Sequence, residues 1–184
     1  MNDTVKLEHN FFTLLGQAQQ FTVDRAALKK RFRTLQREYH PDRYAAKTPQ
    51  EQRLAVQFSA HLNTAFATLD NPVKRATHIL ELSGVTIDHQ NSTIKDPIFL
   101  MQQMETREAF DDARAENDLP ALESLFNQVD AQFQACQQDF AALLDASQLL
   151  ASADEKNARD TVGKMQFFEK LTDELTSLIR SLTQ

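Results

Sequence analysis

Apolar residues three and four positions apart run through the last third of the chain, and this spacing restricts the fold more than any other feature. Steps of four and three keep a series of positions on one face of an α-helix, whereas a strand requires alternation with a period of two. The series is Leu122, Phe126, Val129, Phe133, Cys136, Phe140, Leu143, Ser147 and Leu150. Because only 3 glycines and 5 prolines interrupt 184 residues, the chain is predicted to be all-α.

Two further helix patterns flank this seam. Asp96 and Pro97 are typical of a helix start and open a helix that runs to about Asn117. A second capping box, Ser152-Ala153-Asp154-Glu155, is predicted to open another helix, whose apolar positions also recur every three or four residues. They are Phe168, Leu171, Leu175, Leu178 and Leu182. Three long helices with short turns predict an antiparallel three-helix bundle over residues 96–184.

The first half of the chain is organised around a basic helix. Residues 23–43 read VDRAALKKRFRTLQREYHPDR, with Asp24 as a good N-cap and Pro41 as the terminator, since the residue before a proline disfavours α geometry. The apolar positions share one face: Leu28, Phe32, Leu35 and Tyr39. The basic positions lie on the opposite face or on its shoulder: Lys29, Lys30, Arg33 and Arg37.

Shorter patterns surround the basic helix. A short apolar helix ends near Gly16, and a capping box at Thr48, with Pro49 at the first helical position, opens the helix after the basic one. A last short helix starts at Asn71 and ends near Gly84. Its inward positions are predicted to be Ala76, Ile79, Leu80 and Leu82. An antiparallel helix pair braced by short helices predicts a compact domain over residues 1–84, followed by a linker over residues 85–95.

Charge and composition limit the possible functions. Residues 1–88 hold 12 Lys and Arg against 9 Asp and Glu, whereas residues 89–184 hold 8 against 17. This asymmetry suggests two halves with different partners, but on charge alone two ordinary solvated surfaces are the favoured interpretation. The sequence has no membrane-spanning run and no signal-peptide pattern. A cytosolic or organelle-matrix protein is the simplest interpretation, and of the two a cytoplasmic location is predicted.

Motifs for catalysis, metal binding and cofactor binding are missing from the sequence. It has no Walker A loop, no GxGxxG and no nucleophile–base constellation, so the chain is not expected to be an enzyme or to hold a cofactor. Cys136 lies on the apolar seam, which favours an inert core thiol. Four histidines lack metal-ligand spacing: His9, His61, His78 and His89. The basic helix alone would also fit a nucleic-acid reader, but the acidity of the chain argues against that class.

The tripeptide His40-Pro41-Asp42 follows the basic helix directly and lies between two antiparallel helices. Together with the preceding FTLLG of residues 12–16, this arrangement resembles the J-domain, the module by which J-proteins stimulate ATP hydrolysis in DnaK-type chaperones. The resemblance covers residues 9–83. It implies that Asp42 engages an arginine of the chaperone and that His40 and Pro41 shape the loop. It also implies that the basic face docks on an acidic chaperone surface and steers the encounter, with Lys29, Lys30, Arg33 and Arg37 as the contacts.

The second half resembles one J-protein family in particular. DPIFLMQQMETRE, residues 96–108, is similar to the FLMEQMExRE segment of the HscB family, and VGKMQFFEKL, residues 162–171, is similar to its last helix. Gln102 stands where that family more often has Glu, and Thr106 replaces a larger residue. The absence of an N-terminal CxxC extension makes the bacterial form the closer one. The resemblance implies an L-shaped arrangement of a J-domain and a three-helix domain.

In the HscB family the C-terminal bundle binds the iron–sulfur scaffold protein IscU and presents it to the chaperone HscA. The positions that match the family's scaffold contacts are Leu100, Met101, Met104, Glu105, Glu108, Asp112 and Phe167. A helix face that passes from apolar to acidic suits an exposed patch better than a core. Against this, Leu, Met and Phe on helices are more often core than contact residues. A J-protein that serves a general DnaK-type chaperone or a different client is the alternative.

Overall fold

The computed structural model describes residues 10–85, 94, 96–146 and 152–183, and within these the secondary structure is helical without strands. The α-helices are α1 Phe11–Leu14, α2 Arg25–Glu38, α3 Pro49–Asp70, α4 Pro72–Leu82, α5 Pro97–Glu116, α6 Leu119–Ala146 and α7 Ser152–Leu182, with a 3-10 helix at Pro41–Tyr44. The predicted all-α class is therefore confirmed. The chain divides into two compact units, Met1–Leu82 and Ser83–Gln184. The predicted boundaries around the linker stay a prediction.

In the first unit, α2 and α3 pack side by side through aromatic pairs. The Phe32 and Phe66 rings stack at 4.3 Å, and the Tyr39 and Phe58 rings lie 4.2 Å apart. As the residue number rises along α2 it falls along α3, so the two helices run antiparallel. Leu28 and Leu35 complete the buried face of α2. The spacing of apolar residues on α2 therefore identified its inner face.

The helix starts of this unit follow their caps. The Asp24 side chain accepts hydrogen bonds from the backbone N–H groups of Ala26 and Ala27. At the start of α3, Glu51 accepts from the Thr48 backbone N–H at 3.0 Å, and the Thr48 hydroxyl accepts from the Glu51 N–H. The hydrogen bonds from Thr48 lower the pKa of Glu51. Both caps are confirmed as the sequence predicts them.

One inward position of α4 was predicted incorrectly. Ala76, Ile79 and Leu80 are buried, but Leu82 is exposed. Leu82 continues the row of the buried Arg75 and Ile79 along the helix, but it is the last residue of α4, and there it is 40% exposed. The loop after α2 also differs from the prediction, because it contains the 3-10 helix.

The second unit is built on the long pairing of α6 with α7. The buried residues of α6 are Leu122, Leu125, Val129, Cys136 and Phe140. Those of α7 are Ala158, Val162, Met165, Phe168, Leu171 and Leu175. Seven of the twelve described seam positions are thus buried. The other five are only half-buried: Phe126, Phe133, Leu143, Leu178 and Leu182. Leu125 takes a buried place. Ser147 and Leu150 lie outside the described residues.

Helix α5 lies against this pair with one face only. Its buried residues are Phe99, Phe110 and Ala113. Asp96 caps its start by accepting from the N–H groups of Ile98 and Phe99, and Asn117 ends it in the left-handed conformation at φ 53°. Among the described residues, none of the helices is both long and apolar enough to cross a membrane.

Candidate functional site

The outer face of α2 carries a group of unpaired basic side chains. Because the apolar face of the helix packs on α3, the opposite face is exposed to solvent. It holds Lys29, Lys30, Arg33 and Arg37. In the part of the chain that the structure describes, none of these four forms an ion pair with a carboxylate. The face is therefore available to an acidic partner.

The tripeptide after α2 forms a capped turn. His40 is the N-cap of the 3-10 helix, and its Nδ1 accepts a hydrogen bond from the Asp42 backbone N–H at 3.3 Å. Pro41 occupies the first helical position, where its fixed φ favours the turn. Arg43 Nη1 donates to the carbonyl oxygen of Arg37 at 3.3 Å and so ties the turn to the end of α2. The Asp42 side chain is 90% exposed, and its Oδ2 lies 3.5 Å from Nδ1 of His40.

The second group of candidate residues occupies the solvent face of α5. Leu100, Met101 and Met104 are 41%, 60% and 73% exposed. The acidic residues of the same face are exposed as well: Glu105, Glu108 and Asp112. The apolar side chains lie in the first two turns and the acidic ones follow. We call the six residues named here the α5 patch.

Phe167 lies on α7 beside the start of α5. It is half-buried, and its ring meets those of Phe99 at 5.8 Å and Phe168 at 5.3 Å, both edge to face. Since Phe99 directly precedes Leu100, the structure brings Phe167 to the apolar end of the α5 patch. The residues predicted as scaffold contacts therefore lie at one region of the second unit.

Two ion pairs connect α5 and its N-cap residue to α7. Lys164 Nζ donates to Asp96 Oδ2 at 2.9 Å and lies 5.2 Å from the centre of the Phe99 ring. The hydrogen bond from Lys164 and those from the backbone of α5 lower the pKa of Asp96. Further along, Arg107 donates to Glu174, and that hydrogen bond lowers the pKa of Glu174.

The cysteine and two of the histidines of the described residues lie in packed surroundings. The described residues contain no group of three or more His, Cys, Asp or Glu side chains that could hold a metal ion. Cys136 is buried, and its burial raises the pKa of the thiol. His61 and His78 pack on the Phe11 ring at 5.4 and 4.5 Å. Sequence reasoning missed one exposed apolar neighbour of the α5 patch, Ile98, which is 79% exposed.

Comparison with known proteins identifies both halves. Residues 10–78 match the DnaJ domain family, and residues 95–176 match the family described as HSCB C-terminal oligomerisation domain. The chain is 42% identical to a co-chaperone protein HscB homolog of Shewanella oneidensis over 171 residues, which cover 92% of this chain and 96% of the relative. A homolog from Cupriavidus taiwanensis is 38% identical over 177 residues, with 96% and 97% covered.

Solved structures agree with these matches. The chaperone HscB from Vibrio cholerae superposes with a TM-score of 0.82 at 31% identity, covering 95% of this chain and 99% of its own. The crystal structure of human co-chaperone protein HscB gives a TM-score of 0.82 at 25% identity, with 92% and 81% covered. The similarity extends over both units.

Proposed function

The chain belongs to the HscB family of co-chaperones, and from this premise we propose that it delivers the scaffold protein IscU to the DnaK-type chaperone HscA and stimulates the ATPase of that chaperone. Membership implies a role in iron–sulfur cluster assembly, and the DnaJ domain implies an Hsp70-type partner. The protein acts as an adaptor rather than an enzyme. Its proposed place of action is the cytoplasm.

The observation that carries the proposal is that each of the two units has its own exposed surface, and that the two surfaces differ in character. One is basic and ends at a projecting carboxylate, Asp42, whereas the other is apolar and acidic. The unpaired cations of α2 favour an acidic chaperone surface, raise the association rate and fix the docking register. Asp42 then engages an arginine of the chaperone, while His40 and Pro41 hold the turn that presents it.

The chaperone half of the proposal is tested with Asp42→Ala. Since the Asp42 side chain is 90% exposed, we expect the variant to fold like the wild type and to bind the scaffold normally. We expect it to lose stimulation of HscA turnover in a steady-state ATPase assay. Glu38→Ala, which removes an exposed carboxylate four residues earlier, is the matched control and should stimulate fully. Normal stimulation by Asp42→Ala would contradict the proposed mechanism.

The client half is tested at the α5 patch. We expect the combined change of Met104, Glu105 and Phe167 to alanine to weaken scaffold binding by at least about a hundredfold. Met104 and Phe167 lie at the apolar end of the patch, where a partner would exclude water, and Glu105 is the first acidic residue beside it. Val56→Ala is a control in the first unit, where Val56 is 55% exposed. Unchanged affinity of the triple variant would rule out this surface as the scaffold site.

The choice of chaperone requires a separate comparison. ATPase stimulation is measured with HscA and with a general DnaK-type chaperone, each with and without scaffold protein. We expect synergy between this protein and the scaffold only with HscA. Equal stimulation of both chaperones without an effect of the scaffold would favour the alternative, a J-protein with a general chaperone or another client.

A further inference from the structure

Exposed apolar side chains are concentrated at the start of α5. Of the large hydrophobic residues that are exposed in the described part of the chain, Val56 and Leu82 lie in the first unit, and the remaining four fall within seven positions of α5. These four are Ile98, Leu100, Met101 and Met104. Ile98 is the most exposed at 79%, yet it is absent from the contacts that the family resemblance assigns. A cluster of this kind marks an interaction surface more often than an isolated exposed residue does.

The fold does not require an apolar residue at position 98. The packing of this turn on the bundle is provided by Phe99, whose ring meets Phe167 and Phe168. Isoleucine is β-branched and has a lower helix propensity than unbranched residues, so it is not favoured here as a helix former. Its exposure is therefore explained by neither packing nor propensity.

The backbone that carries Ile98 is held firmly. Its N–H donates to Asp96 Oδ1 at 3.1 Å, and Asp96 Oδ2 accepts from Lys164 on α7 at 2.9 Å. Phe99, the next residue, lies under the Lys164 ammonium group. Ile98 is thus a fixed projection at the first turn rather than part of a fraying end.

Helical spacing connects Ile98 to the α5 patch. Met101 follows it by three residues and Glu105 by seven, so the three side chains form one row along the helix. We propose that Ile98 is a further specificity contact for the scaffold protein, at the outer edge of the apolar end of the patch. This inference rests on the proposed function. It requires a complementary apolar depression on the partner at this edge.

A second copy of this chain is the competing occupant, because the family matched by residues 95–176 is described as an oligomerisation domain. Charge favours the scaffold. The patch continues into Glu105, Glu108 and Asp112, and residues 89–184 hold 17 acidic residues against 8 basic ones. Two copies would bring like charges together, which opposes association, whereas a partner with basic residues around an apolar centre would complement both ends.

The test compares Ile98→Ala and Ile98→Asp in the full-length protein by calorimetric titration with the scaffold protein. We expect about tenfold weaker binding for Ile98→Ala, as for a peripheral apolar contact, and a larger loss for Ile98→Asp. Thermal unfolding should match the wild type, because the side chain is solvent-exposed in the unbound protein. Stimulation of the chaperone ATPase without scaffold should not change. Val56→Ala serves as the control for loss of an exposed apolar side chain elsewhere.

Each result of the test bears on the Ile98 inference, on the proposed function or on a second copy as the occupant. Wild-type affinity in both Ile98 variants, together with lost binding in the triple variant of Met104, Glu105 and Phe167, would overturn this inference and leave the proposed function intact. A wild-type protein that does not bind the scaffold at all would overturn both. Analytical ultracentrifugation tests the competing occupant: a wild-type dimer that Ile98→Asp dissociates, with scaffold affinity unchanged, would assign the surface to a second copy.

Discussion

Arg75 connects three segments of the first unit, and its replacement by methionine should destabilise that unit strongly. The side chain is 7% exposed. Its Nε donates to the carbonyl oxygen of Phe21 at 2.7 Å, and Nη1 donates to the carbonyl oxygen of Leu69. The guanidinium also lies 4.8 Å from the centre of the Phe21 ring. Burial lowers the pKa of Arg75 to about 10, so the group stays charged at neutral pH.

The cost of Arg75→Met follows from the two carbonyl groups it leaves behind. Methionine keeps much of the apolar stem but donates no hydrogen bond. Each hydrogen bond lost from this charged donor costs about 1.5–3 kcal/mol, and the lost cation–π contact adds up to about 1 kcal/mol. Relief of the desolvated charge offsets part of this, so we expect a net loss of about 3 kcal/mol. At about 4–8 °C per kcal/mol for a domain of this size, Tm should fall by about 12–24 °C.

The assay uses the distribution of aromatic residues. The chain has no tryptophan and only two tyrosines, Tyr39 and Tyr44, both in the first unit. Tyrosine fluorescence therefore reports unfolding of this unit, while far-UV circular dichroism follows both units. Arg75→Lys, which keeps one charged donor, should lie between the wild type and the methionine variant. A fluorescence midpoint for Arg75→Met within about 3 °C of the wild type would refute the reasoning, because water would then be replacing the lost donors.

Two further predictions concern the second unit. Arg107 lowers the pKa of Glu174 in the folded protein. The ion pair therefore contributes to stability at pH values above the pKa of Glu174 in the unfolded chain, and this contribution disappears as the pH falls through the pKa of Glu174 in the folded protein. Denaturant unfolding should show Glu174→Gln less stable than wild type at pH 7 by under about 1 kcal/mol, a small amount because Arg107 and Glu174 are both partly exposed. This difference should vanish in acid, where Glu174 is protonated. A difference that grows in acid would contradict the prediction. Burial raises the pKa of Cys136, so alkylation by iodoacetamide at pH 8 should be slow in the native protein and fast in denaturant; equal rates would show that the thiol is accessible.

The parts of the fold that were predictable from sequence are those set by local chemistry. Asp24, Thr48 and Asp96 each cap a helix where the sequence places a cap, because a capping side chain reaches only two or three residues along its own chain. The apolar spacing of α2 identified its buried face for the same reason. Leu82 shows the limit, since helical spacing places it on the row of the buried Arg75 and Ile79, yet it lies at the end of α4 and is exposed.

Long-range contacts were not predictable in the same way. Arg75 bonds the carbonyl of Phe21, 54 residues away, and Lys164 bonds Asp96, 68 residues away. Periodicity indicates which side of a helix is buried, but not which residue of another helix it meets. The buried arginine therefore carried no signal that separates it from an ordinary surface cation.

The candidate site also has one part that local helix geometry predicts and another part that only the structure assigns. The basic face of α2 follows from helical geometry, because the apolar stripe fixes the opposite face as exposed. For α5 the pattern was ambiguous, since apolar residues occur on both sides of the helix. The structure buries Phe99, Phe110 and Ala113, and this assigns the other side to solvent. Ile98 was missed because the contact set came from resemblance, although its spacing from Met101 and Glu105 was visible in the sequence.

The start of α5 combines a rigid backbone with adaptable side chains, and this combination explains why an apolar surface can be kept exposed there. The Asp96 cap and the Lys164 ion pair hold the first turn in place before any partner arrives, so little backbone entropy remains to be lost on binding. Met101 and Met104 are unbranched and flexible, so they can adjust to the shape of a partner. The acidic residues of the following turns carry like charges, which oppose the approach of a second copy. Replacement of Lys164 should therefore weaken binding of the scaffold protein by altering the placement of α5, although it removes no contact residue.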